Sequence, residues 1–344
     1  MWLPLTVVLG TLMSVPPAVS QLAGAGRRDE IGPLFRQALW VALGFGPLLF
    51  AYLTFVPSAL GLMGISPEIA PGTTGFLHGV RWGLPGFTLF LCLRYLADGL
   101  HHTLPSMVLA IAGLFLLVPT GYALTFGAFG LPELGAKGLG IASAVVMWFQ
   151  AIALTLYLAK ARRFRDYGLF SRFDPPRRAE IRELLAVGAP IGFTVLMEGS
   201  LFIFASLLIG RLGEVPAAAH QIAINVASMC FMIPFGVAEA TTIRVGHALG
   251  RGDRGGLRRA YFAGLALVLG LLLWGLGEIS GLVQERQGQR QAAVASVAQS
   301  LAGAQTLLGP VVHMACTEEW QTREGKDGVV TARREFVRVA PPAT

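Results

Sequence analysis

The chain has 344 residues, of which 54% are hydrophobic and only 14% are charged, and its mean hydropathy is +0.61. A water-soluble globular domain of this composition would expose a large apolar surface, so the composition excludes that class. The formal net charge of +7 does not indicate a nucleic-acid partner, because the basic residues stand between apolar runs, as the positive-inside rule requires.

Eight continuous apolar runs follow one another along the chain, each about as long as the ~20 residues that cross a bilayer as a helix. A transmembrane barrel would show alternating rather than continuous apolar residues. The sequence therefore predicts an all-α, polytopic transmembrane helix bundle. The runs lie near 3–22, 34–57, 73–97, 105–127, 138–159, 184–210, 218–243 and 257–277.

The links between the runs alternate in their basic residues. The link at 160–182 is dense in arginine, whereas the link near 57–71 contains no lysine or arginine. By the positive-inside rule, the first, third, fifth and seventh links face the cytoplasm. Both ends of an eight-span chain would then lie outside, although the first residues show no signal pattern. We therefore expect a further helix before residue 1.

A short motif occurs twice, 226 residues apart. Residues 21–28 (QLAGAGRR) and 247–254 (HALGRGDR) share two glycines and a final arginine, and each follows an apolar run. Such a repeat is typical of membrane bundles built from two related halves. At this offset, the first-half counterpart of the run at 184–210 would precede residue 1. We expect the chain to begin inside its own first repeat.

The composition changes after Gly277 to Gln, Ala, Arg and Glu, and no run in 278–344 is apolar enough to span a membrane. We expect this tail to be disordered, or to be an out-of-frame continuation of a truncated gene. The predicted organisation is an incomplete N-terminal lobe of five helices at 1–160, a basic cytoplasmic linker at 161–183, an incomplete C-terminal lobe of three helices at 184–277, and the tail.

Glu198 stands alone among the apolar residues of the run at 184–210. Because an ionised acid in hydrocarbon is costly, such residues usually face a bundle interior and mark ion or proton pathways. We interpret Glu198 as a cation-coupling residue, with a structural pair to Arg211 or to a polar neighbour as the alternative. Gln221 and Asn225 share one face of the next helix and are candidates for a substrate cavity. Ordinary helix-to-helix hydrogen bonding is their alternative role.

Arg94 and Asp98 are four residues apart, a spacing that predicts an ion pair at the cytoplasmic edge of the third span. We expect Glu239 to act at the cytoplasmic end of its own helix and not in the cavity. The pair His101 and His102 has only Asp98 nearby, and three widely separated cysteines give no ligand pattern, so a metal cluster is not indicated. No nucleotide-binding loop or catalytic set occurs, and the sequence predicts no enzyme.

Several stretches resemble the multidrug and toxic compound extrusion (MATE) family, in its NorM-like branch, over residues 1–277. They are residues 1–4 (MWLP), 21–27 (QLAGAGR), 93–99 (LRYLADG), 129–135 (FGLPELG), 218–225 (AAHQIAIN) and 243–250 (IRVGHALG). The resemblance implies twelve helices in two six-helix lobes around a cavity that alternates its opening. It also implies export of cationic amphipathic drugs in exchange for Na⁺ or H⁺.

By this resemblance, the eight spans correspond to family helices two to nine. Glu198 falls on the acidic position of the seventh helix, where cation binding is placed, and Gln221 on an eighth-helix position near the drug cavity. The resemblance implies no cofactor, no metal beyond Na⁺ at Glu198, and a monomer in the bacterial inner membrane. The family's acidic residues of helices one and ten lie outside this chain, and Gly121 stands where relatives often carry Asn.

Two other interpretations stay open. One is a non-transporting fragment of such a transporter, because an incomplete lobe leaves polar groups facing lipid. The other is a lipid-linked precursor flippase of similar topology, which a cationic cavity would favour. Arg81, deep in the third span, is its only support and would otherwise snorkel or pair with an acid.

Overall fold

The computed structural model describes residues 2–59, 70–130, 132–300, 312–323 and 329–340. Eight helical segments of this part are long and apolar enough to cross a membrane, which confirms the predicted all-α polytopic bundle. The helices are α1 (Trp2–Leu12), α2 (Val15–Gly24), α3 (Arg28–Ala59), α4 (Ala70–Val80), α5 (Leu84–Gly99), α6 (Leu104–Phe126), α7 (Ala136–Lys160), α8 (Arg178–Gly210), α9 (Glu214–Gly250) and α10 (Arg254–Ser300). The strands are β1 (Val312–Arg323) and β2 (Val329–Ala340), and short 3₁₀ helices occur at Arg81–Gly83, Ala128–Gly130 and Arg162–Tyr167.

Prolines divide two of the spans into shorter helices. Pro16 and Pro17 stand in the first turn of α2, directly after the break that separates it from α1. In the third span, the 3₁₀ helix Arg81–Gly83 separates α4 from α5, and Pro85 stands in the first turn of α5. Proline is tolerated at a helix start because the N–H that it lacks has no intrahelical partner there.

The core of the bundle lies among the first seven helices. Val8, Phe35, Leu93 and Leu154 are almost inaccessible to solvent and pack in one cluster that draws on α1, α3, α5 and α7. Among the residues whose burial the structure describes, Leu184 is the only member of this cluster from α8, and none of its buried members comes from α9. The first compact unit of the chain, Met1–Leu273, is therefore firmly packed in its first part and more open along its last helices.

The link before α8 is folded and fastened to α3. Arg36 of α3 donates from Nε to Oδ2 of Asp174 over 2.7 Å and from Nη1 to the carbonyl oxygen of Gly168 over 2.7 Å. The hydrogen bond and charge of Arg36 hold the pKa of Asp174 below its usual value. The linker predicted at 161–183 is shorter than expected and extends only to Arg177, because α8 begins at Arg178.

The two copies of the repeated motif face each other where α2 meets α9. A Cβ atom on Gly24 would collide with the carbonyl oxygen of His247, and one on Gly250 would collide with the carbonyl oxygen of Gln21. Gln21 and His247 occupy the same place in the motif, as do Gly24 and Gly250. The contact is therefore reciprocal, as expected for two halves related by a pseudo-two-fold axis.

The prediction of a disordered tail is wrong where the structure describes this region. α10 continues through 278–300, because Gln, Ala, Arg and Glu are strong helix formers even without an apolar stripe. β1 and β2 then form an antiparallel pair in which Glu318 stands opposite Arg334 and Glu319 opposite Arg333. Opposite charges across strands are favourable. Outside the described residues lie 301–311, 324–328 and 341–344.

Candidate functional site

The three side chains predicted to bind cation and substrate lie on α8 and α9. Glu198, Gln221 and Asn225 are all exposed, and no hydrogen bond joins them to one another among the described residues. Glu198 forms no ion pair in the same part of the chain, so the alternative partner Arg211 does not neutralise it. Glu198 is thus an unpaired carboxyl group about 18 Å along the helix from the end of its span.

The turn of α8 that carries Glu198 runs close to α1. A Cβ atom on Gly10 would stand 2.5 Å from the Cα atom of Gly192, so the two backbones are almost in contact there. Further along, a Cβ atom on Gly199 would stand 3.4 Å from Cγ2 of Thr6. Small residues allow such close approach of membrane helices. The coupling candidate therefore lies next to a tight helix pair.

A second group of charged residues lies between α5, α6 and α9. Arg94 Nε is 3.3 Å from Asp98 Oδ2, which confirms the ion pair predicted from their spacing. Ser106 of α6 also donates to Asp98, over 3.5 Å. Arg94 Nη2 lies 3.9 Å from Glu239 Oε2 and so links α5 to α9. Sequence reasoning placed Glu239 at this end of the bundle but missed its partner.

These charges border a cavity of about 440 Å³ between α2, α5, α6 and α9. The two carboxylates outnumber the single guanidinium, so the charge of the lining is negative. Apolar side chains form much of the remaining wall, among them Phe90, Met107 and Phe235. A concave site with apolar walls and a few convergent polar groups is typical of small-molecule binding. Glu198 and Gln221 are not among its lining residues.

Arg81 is half-buried beside the 3₁₀ turn of the third span. Its guanidinium group lies over the rings of Phe50 and Trp82, at 5.3 and 5.8 Å from their centroids, and donates to Thr54 Oγ1 over 3.4 Å. Its buried Nε has no partner among the described atoms. Aromatic faces attract cations. The charge of Arg81 is therefore stabilised by rings and not by an acid of the described chain.

The adjacent residues His101 and His102 do not converge on a common point. The ring of His101 lies 5.1 Å from that of His247, whereas the ring of His102 lies 5.4 Å from that of Phe164. Across the residues that the structure describes, no group of three or more His, Cys, Asp or Glu is placed to hold a metal ion.

Comparison with known proteins gives the family. The MatE family model matches residues 1–123 and 190–276. The chain belongs to the MatE family. It is 61% identical over 270 residues to the probable multidrug resistance protein NorM of Xanthomonas campestris pv. campestris, which covers 78% of this chain and 59% of that relative. It is 44% identical over 271 residues to the multidrug resistance protein PmpM of Pseudomonas aeruginosa, covering 78% and 57%. The chain thus spans about three fifths of the length of these MatE relatives.

Solved structures show the same fold. The MATE transporter NorM-NG, solved in complex with a monobody, superposes with a TM-score of 0.61 at 30% identity, covering 78% of this chain and 58% of that one. The eukaryotic MATE transporter AtDTX14 gives a TM-score of 0.67 at 21% identity, covering 81% and 62%. The predicted MATE resemblance is confirmed, and the chain is a multi-pass membrane protein.

The end of the chain matches a different family. The model for the inner membrane protein CreD matches residues 260–344 and overlaps the MatE match at 260–276, inside α10. An out-of-frame continuation would not match a family model, so that interpretation of the tail is wrong. The sequence passes from MatE-like to CreD-like within one continuous helix.

Proposed function

We propose that the MatE region exports cationic, amphipathic drugs across the bacterial inner membrane in exchange for Na⁺ or H⁺. Its relatives are named as multidrug resistance proteins, which supports a transport function without covalent chemistry or cofactor. The observation that carries the proposal is Glu198, a carboxyl group that is unpaired among the described residues and lies well inside a membrane span. We propose that it acts within a monomer.

In this proposal, Glu198 binds either the coupling cation or a proton, and the drug competes for its negative charge. A ligand shifts the balance between inward-open and outward-open states only if it binds one of them better. Gln221 and Asn225 supply amide groups to the drug from α9. The cavity bordered by Asp98 and Glu239 offers a second negative surface with apolar walls. The contact from Arg94 to Glu239 joins the two halves and would break when that end opens.

The test is an efflux assay with the full chain in proteoliposomes, using ethidium as the cationic dye and imposing either a Na⁺ or a pH gradient. We expect export driven by one gradient and its loss in Glu198→Gln. Glu183→Gln is the matched control, because it makes the same change at an exposed position near the start of α8. Equal export by the wild-type chain and Glu198→Gln would contradict the role of Glu198.

A second candidate is a chain that inserts into the membrane but does not transport alone. The observation in its favour is the exposure of Glu198, Gln221 and Asn225, which would face lipid unless other helices cover α8 and α9. Vesicles containing the chain would then retain dye like empty vesicles. A chimera would add the segments of the Xanthomonas relative that this chain does not match. Export regained in that chimera would show that the chain folds but needs further helices, whereas a misfolded chain would not regain export.

A further inference from the structure

A basic pocket lies at the end of the bundle that carries the arginine-rich link at 160–182, which we call the arginine-rich end. None of the proposed transport residues Glu198, Gln221 and Asn225 lines this pocket. Its cavity of about 630 Å³ lies between the turn from α5 to α6, the two helices α6 and α7, and the 3₁₀ helix Arg162–Tyr167. His101, His102 and Arg163 line one side of it, and side chains of α6 and α7 line the rest. We call this the basic pocket.

The basic groups of this pocket form no ion pair with an acid among the described residues, because the nearby Asp98 pairs with Arg94 instead. Arg163 Nη1 lies 3.5 Å from His102 Nδ1, and neither residue forms an ion pair within the described ranges. Burial lowers the pKa of His102, and so does Arg163. The pKa of His101 is lowered by burial, then by His247, Arg244 and His102. The charged groups that act on the two imidazoles are all basic, so a bound anion would relieve their repulsion.

The start of α6 adds to the positive field. Thr103, which directly precedes α6, and Leu104 and Pro105, its first two residues, all line the pocket. Thr103 is the capping residue, but its side chain makes no capping hydrogen bond. Pro105 has no N–H group, but the other N–H groups of a first helical turn have no intrahelical partners, and the helix dipole favours an anion there. The pocket thus combines two independent sources of positive potential.

The opposite wall of the pocket is apolar and leads into the membrane. Leu104 and Val108, one turn apart on α6, are 66% and 50% exposed. On α7, Ala153 and Tyr157 line the same cavity and lie about 10 and 5 Å along the helix from its end. A ligand held by the basic residues would therefore meet a hydrocarbon surface directly below its charged group.

We propose that the basic pocket binds the phosphate group of an anionic phospholipid from the cytoplasmic leaflet, with an acyl chain lying along α6 and α7. Basic pockets between membrane helices on the cytoplasmic side are suited to anionic lipid headgroups. A free phosphate ion would use the basic residues but gain nothing from the apolar wall. The inference depends on insertion in the membrane, and it does not depend on drug transport.

Native mass spectrometry of the full chain in detergent tests this proposal by counting bound lipid. We expect one tightly bound dioleoylphosphatidylglycerol, and a dissociation constant that rises about fivefold in Arg163→Gln. Arg165→Gln is the matched control, because it removes the same charge from the same 3₁₀ helix outside the pocket. His102→Gln should weaken binding as well and is the second variant if Arg163→Gln does not fold.

Three arms distinguish the sources of the phosphate. Dioleoylphosphatidylcholine should bind more weakly than dioleoylphosphatidylglycerol, and inorganic phosphate should displace little of the bound lipid. Val108→Asn should weaken binding of the anionic lipid and leave any inorganic phosphate binding unchanged. Equal losses in Arg163→Gln and Arg165→Gln would mean diffuse surface attraction and would overturn the proposal, as would binding of inorganic phosphate as tight as that of the lipid.

Discussion

The arginine-rich end of the bundle is held together far more firmly than the part of α8 and α9 that carries the proposed transport residues. At the arginine-rich end, the glycines of the motif in α2 pack closely against those of the motif in α9, and Arg36 binds the link before α8. Along α8 and α9, only 6% of each apolar window is buried, against 61% in the span Ala70–Gly99. The side chains of Glu198 and Gln221 are exposed within these open stretches.

This difference in packing distinguishes residues that hold the helices in place from residues that are proposed to bind and release ligands. Glycine contacts and a buried ion pair fix the positions of helices, and their residues are enclosed by other parts of the chain. Residues that exchange ligands need access, and elements that move are drawn from the less stable parts of a protein. Burial is therefore a guide to what holds this bundle together, and the unpaired acid of an open span is a guide to its proposed function.

The largest expected effect comes from breaking the Arg36 contact. Asp174→Asn should lower the thermal unfolding midpoint in detergent more than the other changes considered below, because it leaves the buried guanidinium group without its acid. Asp166→Asn, an exposed acid in the same link without an ion pair among the described residues, is the control. An equal effect of the two substitutions would show that the link is not fastened here.

The same variant has a defined pH dependence. Since the pKa of Asp174 is lowered in the folded chain, its contribution is present above its ordinary value of about 3.9 and is lost as the pH falls through the folded pKa. The difference in midpoint between wild type and Asp174→Asn should stay constant above about pH 5 and shrink below about pH 4. A difference that grows on acidification would contradict this assignment.

A smaller loss is expected at the contact between the two motifs. Gly250→Ala places a methyl group against the carbonyl oxygen of Gln21 and should destabilise the chain by about 1–3 kcal/mol through forced separation of α2 and α9. Gly236→Ala makes the same change on the same helix, where a Cβ atom meets no atom of the described residues within 4 Å. Chemical denaturation in mixed micelles should show a loss only in the first variant.

Local patterns predicted much of this fold. The eight spans follow from hydropathy alone, and the Arg94–Asp98 pair follows from helical spacing, because both depend on residues close in sequence. The repeated motif predicted two related halves, and its glycines are the points where those halves touch. Sequence therefore predicted the spans and one ion pair within a helix, whereas the contact between the two motifs came from the structure.

Local patterns did not predict contacts between residues far apart in sequence, and they did not predict secondary structure in polar segments. Arg36 meets Asp174 across 138 positions, and no spacing rule connects them. The helix over 278–300 lacks an apolar stripe, so hydropathy gave no signal for it, although its helix-forming composition could have. A match to a second family model depends on the order of residues and not on their composition, which is why composition alone did not indicate the CreD-like sequence of 260–344.

The smallest expected effect on stability is at Glu198. Glu198→Gln should change the free energy of unfolding by less than about 0.5 kcal/mol, because the side chain is exposed and has no ion pair among the described residues. Glu239→Gln removes the partner of Arg94 and should cost about 1 kcal/mol. If Glu198→Gln abolishes export while leaving unfolding unchanged, the open part of α8 serves transport alone. A loss of stability at Glu198 equal to that at Glu239 would instead assign it to packing.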